Sequence, residues 1–469
     1  MQNGSDEPDD RPRSPWRIYG LIAGAVALAT LNFSLVFVAF SDIEATFDAS
    51  AGTVSWTLTA FSITTAAVFV PAGWAADRFG RTRMFLIGFG TFIVGSLLVS
   101  TAPTVEFLIF ARMVQAAGLA IESPASLALV LDEFPIERRS TAVGALGAVG
   151  GVATAIGPAI GGALIDNLTW RWAFFLNVPL GIIVFALVAP RLPRTFVPDA
   201  SRRRPPDLVG VVVLMVGVAA LALGIVQSDD WGYLDTKTLA TLAVAVVFLW
   251  LLLHRSARHS EPILHLPLFR DHDFALGSGL SFLVAGTFAG TFLAFVQLMN
   301  NGWDLSLMQS GLAVGMIPAI AGPMSIVSGR IADRHGHKFV ILPGSLLMAL
   351  AGIFMYTQVG EERQLLAVWV PFVAIYGLGV GFAHAACQAA ALSNVGTERL
   401  GIGGAMNRIA QEIGQTVSAA IVIALLARHA SIFDGIRSVM ILLIVLSLIG
   451  APLASRLQAR GSAATPVRV

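Results

Sequence analysis

The chain has 469 residues, of which 56% are hydrophobic and only 13% are charged. Soluble domains are about half apolar and about one quarter charged, so this composition excludes a soluble globular protein. The formal net charge of +1 gives the chain no global field that would attract nucleic acid, and its single cysteine, Cys387, excludes an internal disulfide.

Apolar windows long enough to cross a membrane recur along the whole chain. The first follows a polar segment, 1–16, and is too long for the apolar region of a signal peptide, so we expect it to remain as a span. A spanning helix needs about 20 apolar residues. The windows predict fourteen spans at 17–41, 53–76, 83–101, 105–131, 140–165, 170–190, 208–227, 237–254, 273–300, 307–330, 338–358, 364–394, 400–428 and 435–456.

The charged residues predict an orientation for these spans. Most arginines fall in turns on the side of the N-terminus, whereas acidic residues such as Asp42, Asp48 and Asp229 collect on the other side. The positive-inside rule then places both chain ends in the cytoplasm. The longest connection, about 191–207, is rich in Arg and Pro and lacks apolar periodicity, so we expect no soluble catalytic domain.

A short pattern occurs twice, each time at the inner end of a predicted span. Gly73, Ala76, Asp77, Arg78 and Gly80 recur as Gly329, Ala332, Asp333, Arg334 and Gly336. Glu137-Arg138 before the fifth span similarly resembles Glu398-Arg399 before the thirteenth. Internal repeats are typical of transporters whose two halves move around a central site.

Eight spans rather than six separate the repeated patterns, so two helices are inserted between two six-helix halves. The predicted division is a cytoplasmic tail at 1–16, an N-terminal half at 17–190, a basic linker with two inserted helices at 191–272, a C-terminal half at 273–456, and a cytoplasmic tail at 457–469.

Four longer motifs lie at the ends or in the interiors of the predicted spans. They are Gly73-x-x-x-Asp77-Arg78-x-Gly80-Arg81-x-Arg83, Arg112-x-x-Gln115-x-x-Gly118, Gly157-Pro158-x-x-Gly161-Gly162, and Trp170-Arg171-Trp172-x-Phe174-x-x-Asn177-x-Pro179-x-Gly181. Over nearly the whole chain, these strings resemble the major facilitator superfamily, specifically its fourteen-span drug:proton antiporter branch.

This resemblance implies an all-α integral membrane protein with the major facilitator fold, and not an enzyme. It implies a secondary active exporter of amphipathic or lipophilic small molecules, such as drugs and dyes, that works by proton antiport with alternating access. The implied protein is a monomer in the inner membrane, whose partners are a small-molecule substrate, protons and the bilayer. No cofactor, metal or nucleic acid is expected.

The resemblance also implies roles for particular residues. A cytoplasmic gating motif is expected at Gly73, Asp77, Arg78, Gly80, Arg81, Arg83, Gly329, Asp333, Arg334 and Gly336, and an antiporter helix motif at Gly157, Pro158, Gly161 and Gly162. Helices that line the central cavity in this family carry Asn32, Trp56, Phe61, Gln115, Phe292, Phe295 and Gln297.

Proton coupling requires a carboxylate inside the membrane, and here the sequence departs from the family. The family places an aspartate in the first span, where this chain has Asn32, which cannot titrate. Asn32 lies at about the same depth as Arg112, so a hydrogen bond is expected in place of an ion pair. Glu122, about 15 Å deeper than Arg112 on the same helix, is the candidate proton-coupling residue together with Arg112. A cationic-substrate contact or a structural glutamic acid are its alternative roles.

The pattern leaves a second function open. The alternative is a specialised metabolite, lipid or siderophore exporter that is weakly proton-coupled because of Asn32. A membrane sensor or assembly partner is a third possibility, which the intact loop motifs in both halves oppose. The pair Arg408 and Glu412, four residues apart on one helix, is expected to neutralise itself, and His384 to be a packing residue.

Overall fold

A computed structural model of the chain describes residues 15–134, 136–192, 206–396 and 400–458. The residues it describes form α-helices, three short 3₁₀ or π segments and no strand. The sequence-based assignments for the two tails, most of the basic linker and the pair Glu398-Arg399 lie largely or wholly outside the described residues.

Sixteen α-helices follow one another along the described parts of the chain. They are α1 (Pro15–Phe47), α2 (Ala51–Phe79), α3 (Arg81–Ser100), α4 (Val105–Glu133), α5 (Ile136–Asn167), α6 (Trp170–Phe175), α7 (Asn177–Val188), α8 (Leu208–Val226), α9 (Ser228–Trp231), α10 (Thr236–Ser256), α11 (His272–Gln297), α12 (Leu307–His335), α13 (Lys338–Gln358), α14 (Val370–Leu392), α15 (Leu400–Ala427) and α16 (Ile432–Ser455).

Within the described residues, fourteen helical segments are long and apolar enough to cross a membrane, which confirms the predicted number. Thirteen of them are a single α-helix or an α-helix with a short π segment, and α6 and α7 together form the sixth. The largest difference from the predicted bounds is in α1, which runs to Phe47 rather than to 41. The polar residues at its end reduce hydropathy but do not prevent helix formation, so a hydropathy window ends too early.

The helices alternate in direction between two faces of the bundle. We call the face that holds the start of α1 and the turns at Gly80 and Gly336 the basic face. The other face is called the opposite face. Gly80 and Gly336 have φ of 98° and 101°, a region that L side chains rarely adopt. Each donates its backbone N–H to the preceding helix, at 3.1 Å to Ala76 and 2.8 Å to Ala332. The two copies of the sequence repeat therefore share one backbone conformation.

The two halves meet along two seams, α5 against α12 and α2 against α15. Close backbone contact marks the first seam near the opposite face, because a Cβ at Gly162 would lie 2.2 Å from the carbonyl oxygen of Leu307 and one at Gly311 would lie 2.1 Å from that of Pro158. Toward the basic face, a Cβ at Gly147 would meet no atom within 4 Å. The helices α5 and α12 therefore touch near the opposite face and separate toward the basic face.

The inserted helices α8 and α10 pack against each other beside the second seam. An apolar cluster joins Ile63 of α2, Leu214 and Val218 of α8, and Ile409 of α15. By contrast, Ile156 on α5 and Leu312 on α12 are exposed. Thus α8 covers the α2/α15 seam, and the α5/α12 seam carries apolar side chains on its outer surface.

Candidate functional site

A narrow cavity lies between the two halves and is lined by five helices. Its walls come from α1, α2 and α4 of the N-terminal half and from α11 and α15 of the C-terminal half. The described lining residues are Val36, Phe37, Leu58, Thr59, Phe61, Ser62, Arg112, Ala289, Gln415, Thr416 and Ala419. Arg112 is the only charged residue among them.

Arg112 is held in place by hydrogen bonds to its own half. Its Nε donates to the backbone oxygen of Thr57 at 3.2 Å, and its Nη1 donates to Oε1 of Gln115 at 2.6 Å. The side chain is buried, and among the described residues no carboxylate lies within ion-pair distance of it. The buried guanidinium, which stays protonated in proteins, therefore has neutral partners only.

Two aromatic rings flank this guanidinium. The Cζ atom of Arg112 lies 4.2 Å from the ring centroid of Phe61 and 5.6 Å from that of Phe174. The negative face of an aromatic ring attracts a cation, most strongly where water is excluded. Phe61 therefore stabilises the charge of Arg112 and also forms part of the cavity wall.

Behind Arg112, a polar network fills the interior of the N-terminal half. Gln115 donates its Nε2 to Oδ1 of Asn32 at 3.0 Å and to Oγ of Ser96 at 2.8 Å. Asn177 donates to the same oxygen of Asn32 at 3.3 Å. A close helix contact permits this network, because a Cβ at Gly95 on α3 would lie 2.6 Å from the Cα of Gln115 on α4. Asn32 thus reaches Arg112 through Gln115, whereas the sequence led us to expect a direct hydrogen bond.

Glu122 lies deeper in α4, where it is buried among apolar residues. Its carboxylate accepts a hydrogen bond from the hydroxyl of Ser126, and no basic side chain of the described residues reaches it. A Cβ at Gly88 would lie 2.5 Å from the backbone nitrogen of Glu122, so α3 packs directly on this turn of α4. Glu122 lies outside the residues that line the cavity, and its role in proton coupling stays a prediction.

A second carboxylate lies at the boundary between the halves. Glu412 of α15 forms an ion pair of 2.5 Å with Arg408, one helical turn away, as the spacing predicts. Ser62 of α2, which lines the cavity, also hydrogen-bonds Glu412. This pair therefore contacts the opposite half next to the cavity.

The remaining predicted cavity residues lie around the cavity rather than in its described lining. Phe292 packs against Phe37 with ring centroids 5.1 Å apart. Phe295 packs in the C-terminal half, where its ring centroid lies 4.7 Å from that of Phe372. Gln297 accepts a hydrogen bond of 3.0 Å from Ser41 and so joins α11 to α1 across the halves.

Trp56 is half-buried in α2 and lies closer to the opposite face than the cavity-lining residues of that helix do. Two glycines of the predicted antiporter motif bring α5 close to α1, since a Cβ at Gly157 would lie 2.1 Å from Oγ of Ser34 and one at Gly161 would lie 2.6 Å from Leu35. In the predicted gating motif, the guanidinium of Arg78 lies 5.7 Å from the ring of Trp74.

Most of the described cavity lining was not found from the sequence, including two polar residues of α15. Gln415 and Thr416 both line the cavity. The Oε1 atom of Gln415 and the hydroxyl of Thr416 are buried and have no hydrogen-bond partner in the part of the chain that the structure describes. The available signal was a pair of polar residues next to Gly414, one helical turn after the polar residues Gln411 and Glu412 in the same predicted span. Such residues are uncommon facing lipid, so they favour the interior of the bundle.

The sequence matches the profile of the Major Facilitator Superfamily over residues 22–419 and 277–466. The tetracenomycin C resistance and export protein of Streptomyces glaucescens is 30% identical over 420 residues, covering 88% of this chain and 76% of that protein. A multidrug resistance protein B homolog of Mycobacterium tuberculosis is 30% identical over 440 residues, covering 89% and 80%. The riboflavin transporter RibZ of Clostridioides difficile is 26% identical over 398 residues, covering 84% of each chain.

Solved structures show the same fold at low sequence identity. The inward open conformation of the xylose transporter XylE from E. coli superposes with a TM-score of 0.66 at 12% identity, covering 96% of this chain and 98% of that one. The human organic anion transporter MFSD10 gives a TM-score of 0.64 at 14% identity, covering 94% and 100%. The fourteen apolar helices, the repeated turn and these matches together establish that this chain is a multi-pass membrane transporter and belongs to the major facilitator superfamily.

Proposed function

We propose that the protein is a secondary active exporter that moves amphipathic or lipophilic small molecules, such as drugs and dyes, out of the cell in exchange for protons. The cavity carries this proposal, because both halves line it with apolar side chains and the N-terminal half adds two aromatic rings beside a few polar groups, as is typical of small-molecule sites. Relatives named for multidrug resistance and for export of tetracenomycin C support the direction of transport.

In the proposed cycle, the halves rock around the cavity and open it to one side at a time. The separation of α5 from α12 toward the basic face is the geometry expected of a state that opens on that face. We place this face in the cytoplasm, because it carries the arginine-rich turns. The protein then lies in the cytoplasmic membrane with both chain ends inside, and it works as a monomer.

Glu122 is the proposed proton site. A carboxylate that is buried in a membrane helix and bonded to one hydroxyl has little to stabilise its charge, so it favours the neutral form until its surroundings change. Movement of α4 relative to α3 during the cycle changes those surroundings. Arg112 on the same helix links this movement to the cavity.

A second candidate is a specialised metabolite exporter with weak proton coupling. The observation that favours it is the network around Asn32, in which amide and hydroxyl groups take the places where a carboxylate would pair with Arg112. Its specialised substrate would be a metabolite, lipid or siderophore; a relative named as a riboflavin transporter is consistent with this candidate.

The proposals differ in whether proton flux follows the substrate. Purified protein in liposomes with a trapped pH-sensitive dye is exposed to uncharged and to anionic planar dyes, with protein-free liposomes as the reference. We expect compound-dependent proton flux for the wild type, loss of that flux in Glu122→Gln, and retention in the control Glu106→Gln, which neutralises an exposed carboxylate in the first turn of the same helix. Compound movement without proton flux in the wild type would contradict antiport and favour the second candidate.

A further inference from the structure

We propose that the cavity selects planar aromatic compounds that are neutral or anionic and carry a hydrogen-bond acceptor next to a donor, and that it rejects simple monocations. This proposal rests on the proposed export function, because it names the substrate class of the same cavity. Three independent features of the lining carry it: the sign of its charge, its unpartnered polar atoms, and the flat ring beside Arg112.

The charge of the lining is positive. Arg112 is the only charged residue among the described residues of the wall, and its hydrogen-bond partners there are neutral. Glu412, the nearest carboxylate along the wall of α15, is occupied by Arg408 in an ion pair. A monocation in the cavity would therefore face an uncompensated guanidinium in a site of low effective permittivity, where like charges repel strongly.

The polar atoms that the C-terminal half contributes to the cavity wall determine which ligand groups can pair with them. Among the described residues, Oε1 of Gln415 is an acceptor without a donor, and the hydroxyl of Thr416, which is 2% exposed, has neither a donor nor an acceptor. Buried polar atoms without partners are costly, and a ligand that satisfies them gains that free energy on binding. A hydroxyl on the ligand suits Gln415, and a carbonyl, carboxylate or phenolate oxygen suits Arg112.

The shape of the wall favours a flat ring system. Phe61 and Phe37 contribute aromatic surface, and Leu58, Val36 and Ala289 contribute apolar surface from both halves. The Cζ atom of Arg112 lies 4.2 Å from the centroid of Phe61. Both the guanidinium and the phenyl ring stack well on flat aromatic systems. The cavity is narrow here, so the halves must separate to admit a ligand of three fused rings.

A set of probes that differ only in charge tests the proposal. Anthracene carboxylate, anthracenemethanol and aminomethylanthracene share one planar ring system and are anionic, neutral and cationic at neutral pH. Binding to purified protein in lipid nanodiscs is followed by anthracene fluorescence, without any proton gradient. We expect the anion to bind about tenfold or more tightly than the cation, with the neutral probe between them.

Substitutions at two residues assign this order to the cavity. Gln415→Glu adds a carboxylate opposite Arg112 and should strengthen binding of the cation and weaken binding of the anion, each about tenfold. Gln415→Leu removes the amide, and with it the acceptor, without changing the charge, and should weaken anthracenemethanol several-fold while leaving the order of the charged probes unchanged. Arg112→Gln should abolish the preference for the anion and Arg112→Lys should retain it, and the Gln415 variants carry the test if the Arg112 variants fail to fold.

Either of two results would overturn the proposal: a wild type that binds aminomethylanthracene as tightly as anthracene carboxylate, or a folded Gln415→Glu variant with an unchanged order. These results are separate from a failure of proton-driven export. If the probes bind in the expected order but cause no proton flux, antiport is rejected and the substrate class is kept. If monocations are transported with protons and the binding order is the opposite one, the substrate class is rejected and antiport is kept.

Discussion

The guanidinium of Arg112 donates a hydrogen bond of 2.6 Å to the side-chain oxygen of Gln115. The amide nitrogen of Gln115 in turn donates to Asn32 and Ser96. One glutamine therefore fixes the charged residue of the cavity wall to the interior of the N-terminal half. Its side chain reaches α1 and α3 from α4, so its removal affects both the position of Arg112 and the packing of three helices.

We expect Gln115→Leu to destabilise the protein and to weaken transport. The leucine removes one buried hydrogen bond from each of Arg112, Asn32 and Ser96. A buried polar group that loses a partner costs about 1–3 kcal/mol. A thermal melt of the purified protein in detergent should show a midpoint several degrees below that of the wild type.

Gln115→Glu is the matched control, because it keeps the acceptor for Arg112 and almost the same volume. It should retain the position of Arg112 and lose only the amide donor. Equal melting temperatures for Gln115→Leu and the wild type would contradict the structural role of Gln115.

We expect that a carboxylate at position 32 of α1 can take over proton coupling from Glu122 of α4. Oδ1 of Asn32 accepts both hydrogen bonds of this side chain, and its Nδ2 has no partner within the described ranges. Asn32→Asp therefore loses no hydrogen bond and places a carboxylate in the same network as Arg112. We expect the double variant Asn32→Asp, Glu122→Gln to recover part of the proton flux that Glu122→Gln loses, measured with the trapped dye. A folded but silent double variant would count against a shared network.

Asp166 at the end of α5 should hold the opposite face closed. Its carboxylate accepts hydrogen bonds from the backbone N–H groups of Leu307 at 3.0 Å and Met308 at 2.8 Å, at the start of α12 in the other half. A carboxylate at a helix N-terminus contributes about 1 kcal/mol. Asp166→Ala should therefore shift the population toward states that are open on this face, by a factor of about five.

Distances between spin labels can measure this shift. Leu168 and Leu366 are both exposed near the opposite face, one in each half, and Cys387 is the only cysteine, so Cys387→Ala gives a background for labels at Leu168→Cys and Leu366→Cys. Asp166→Ala should lengthen the distance distribution. The neighbouring Asn167→Ala, which loses a hydrogen bond only within α5, should leave it unchanged.

The inserted helices should lose stability in acid through Asp207. Burial raises the pKa of this carboxyl, but hydrogen bonds from Arg255 and from the backbone N–H of Gly210, with the charges of Arg255 and His259, lower the pKa below its usual value. Because the folded pKa lies below the unfolded value of about 3.9, the stabilisation is fully present above that pH and is lost as the pH falls through the folded pKa.

Asp207→Asn should therefore melt at a lower temperature than the wild type at pH 7, and the difference should shrink below about pH 4. A melt series across this range compares the two proteins. Arg255→Gln, which removes the partner at 2.6 Å, should reproduce the loss at pH 7. A difference that persists unchanged in acid would show that the ionised form of Asp207 contributes nothing.

The sequence predicts the spans well because the bilayer imposes their length. Hydropathy cannot place breaks within a span, however, and the predicted helix 170–190 is two helices, α6 and α7, that meet at Leu176. Pro179 has no N–H to donate to the carbonyl of Phe175, which accounts for the break. The repeated glycine turns were recognisable because Gly80 and Gly336 each follow the same string.

The site was less predictable than the spans. The depth of Asn32 and Arg112 could be derived from helix rise, and the family resemblance indicated their helices, but helix rise cannot show that Gln115 lies between them. The contact of Ser62 with Glu412 and the position of Gln415 in the wall depend on how α2 packs on α15. That packing joins residues far apart in the sequence, and no local pattern encodes it.

The position of α8 makes the two flanks of the helix bundle different from each other. Two halves related by a repeat would present equivalent clefts on both flanks, but α8 occupies one flank by contacting α2 and α15 together. The flank formed by α5 and α12 carries exposed apolar side chains instead. Rocking of the halves must therefore shift α8 against α2 or α15 on one flank, whereas on the other flank it separates α5 from α12 with no helix covering them. The two flanks thus differ in stiffness and in the side chains that they expose to the surrounding lipid.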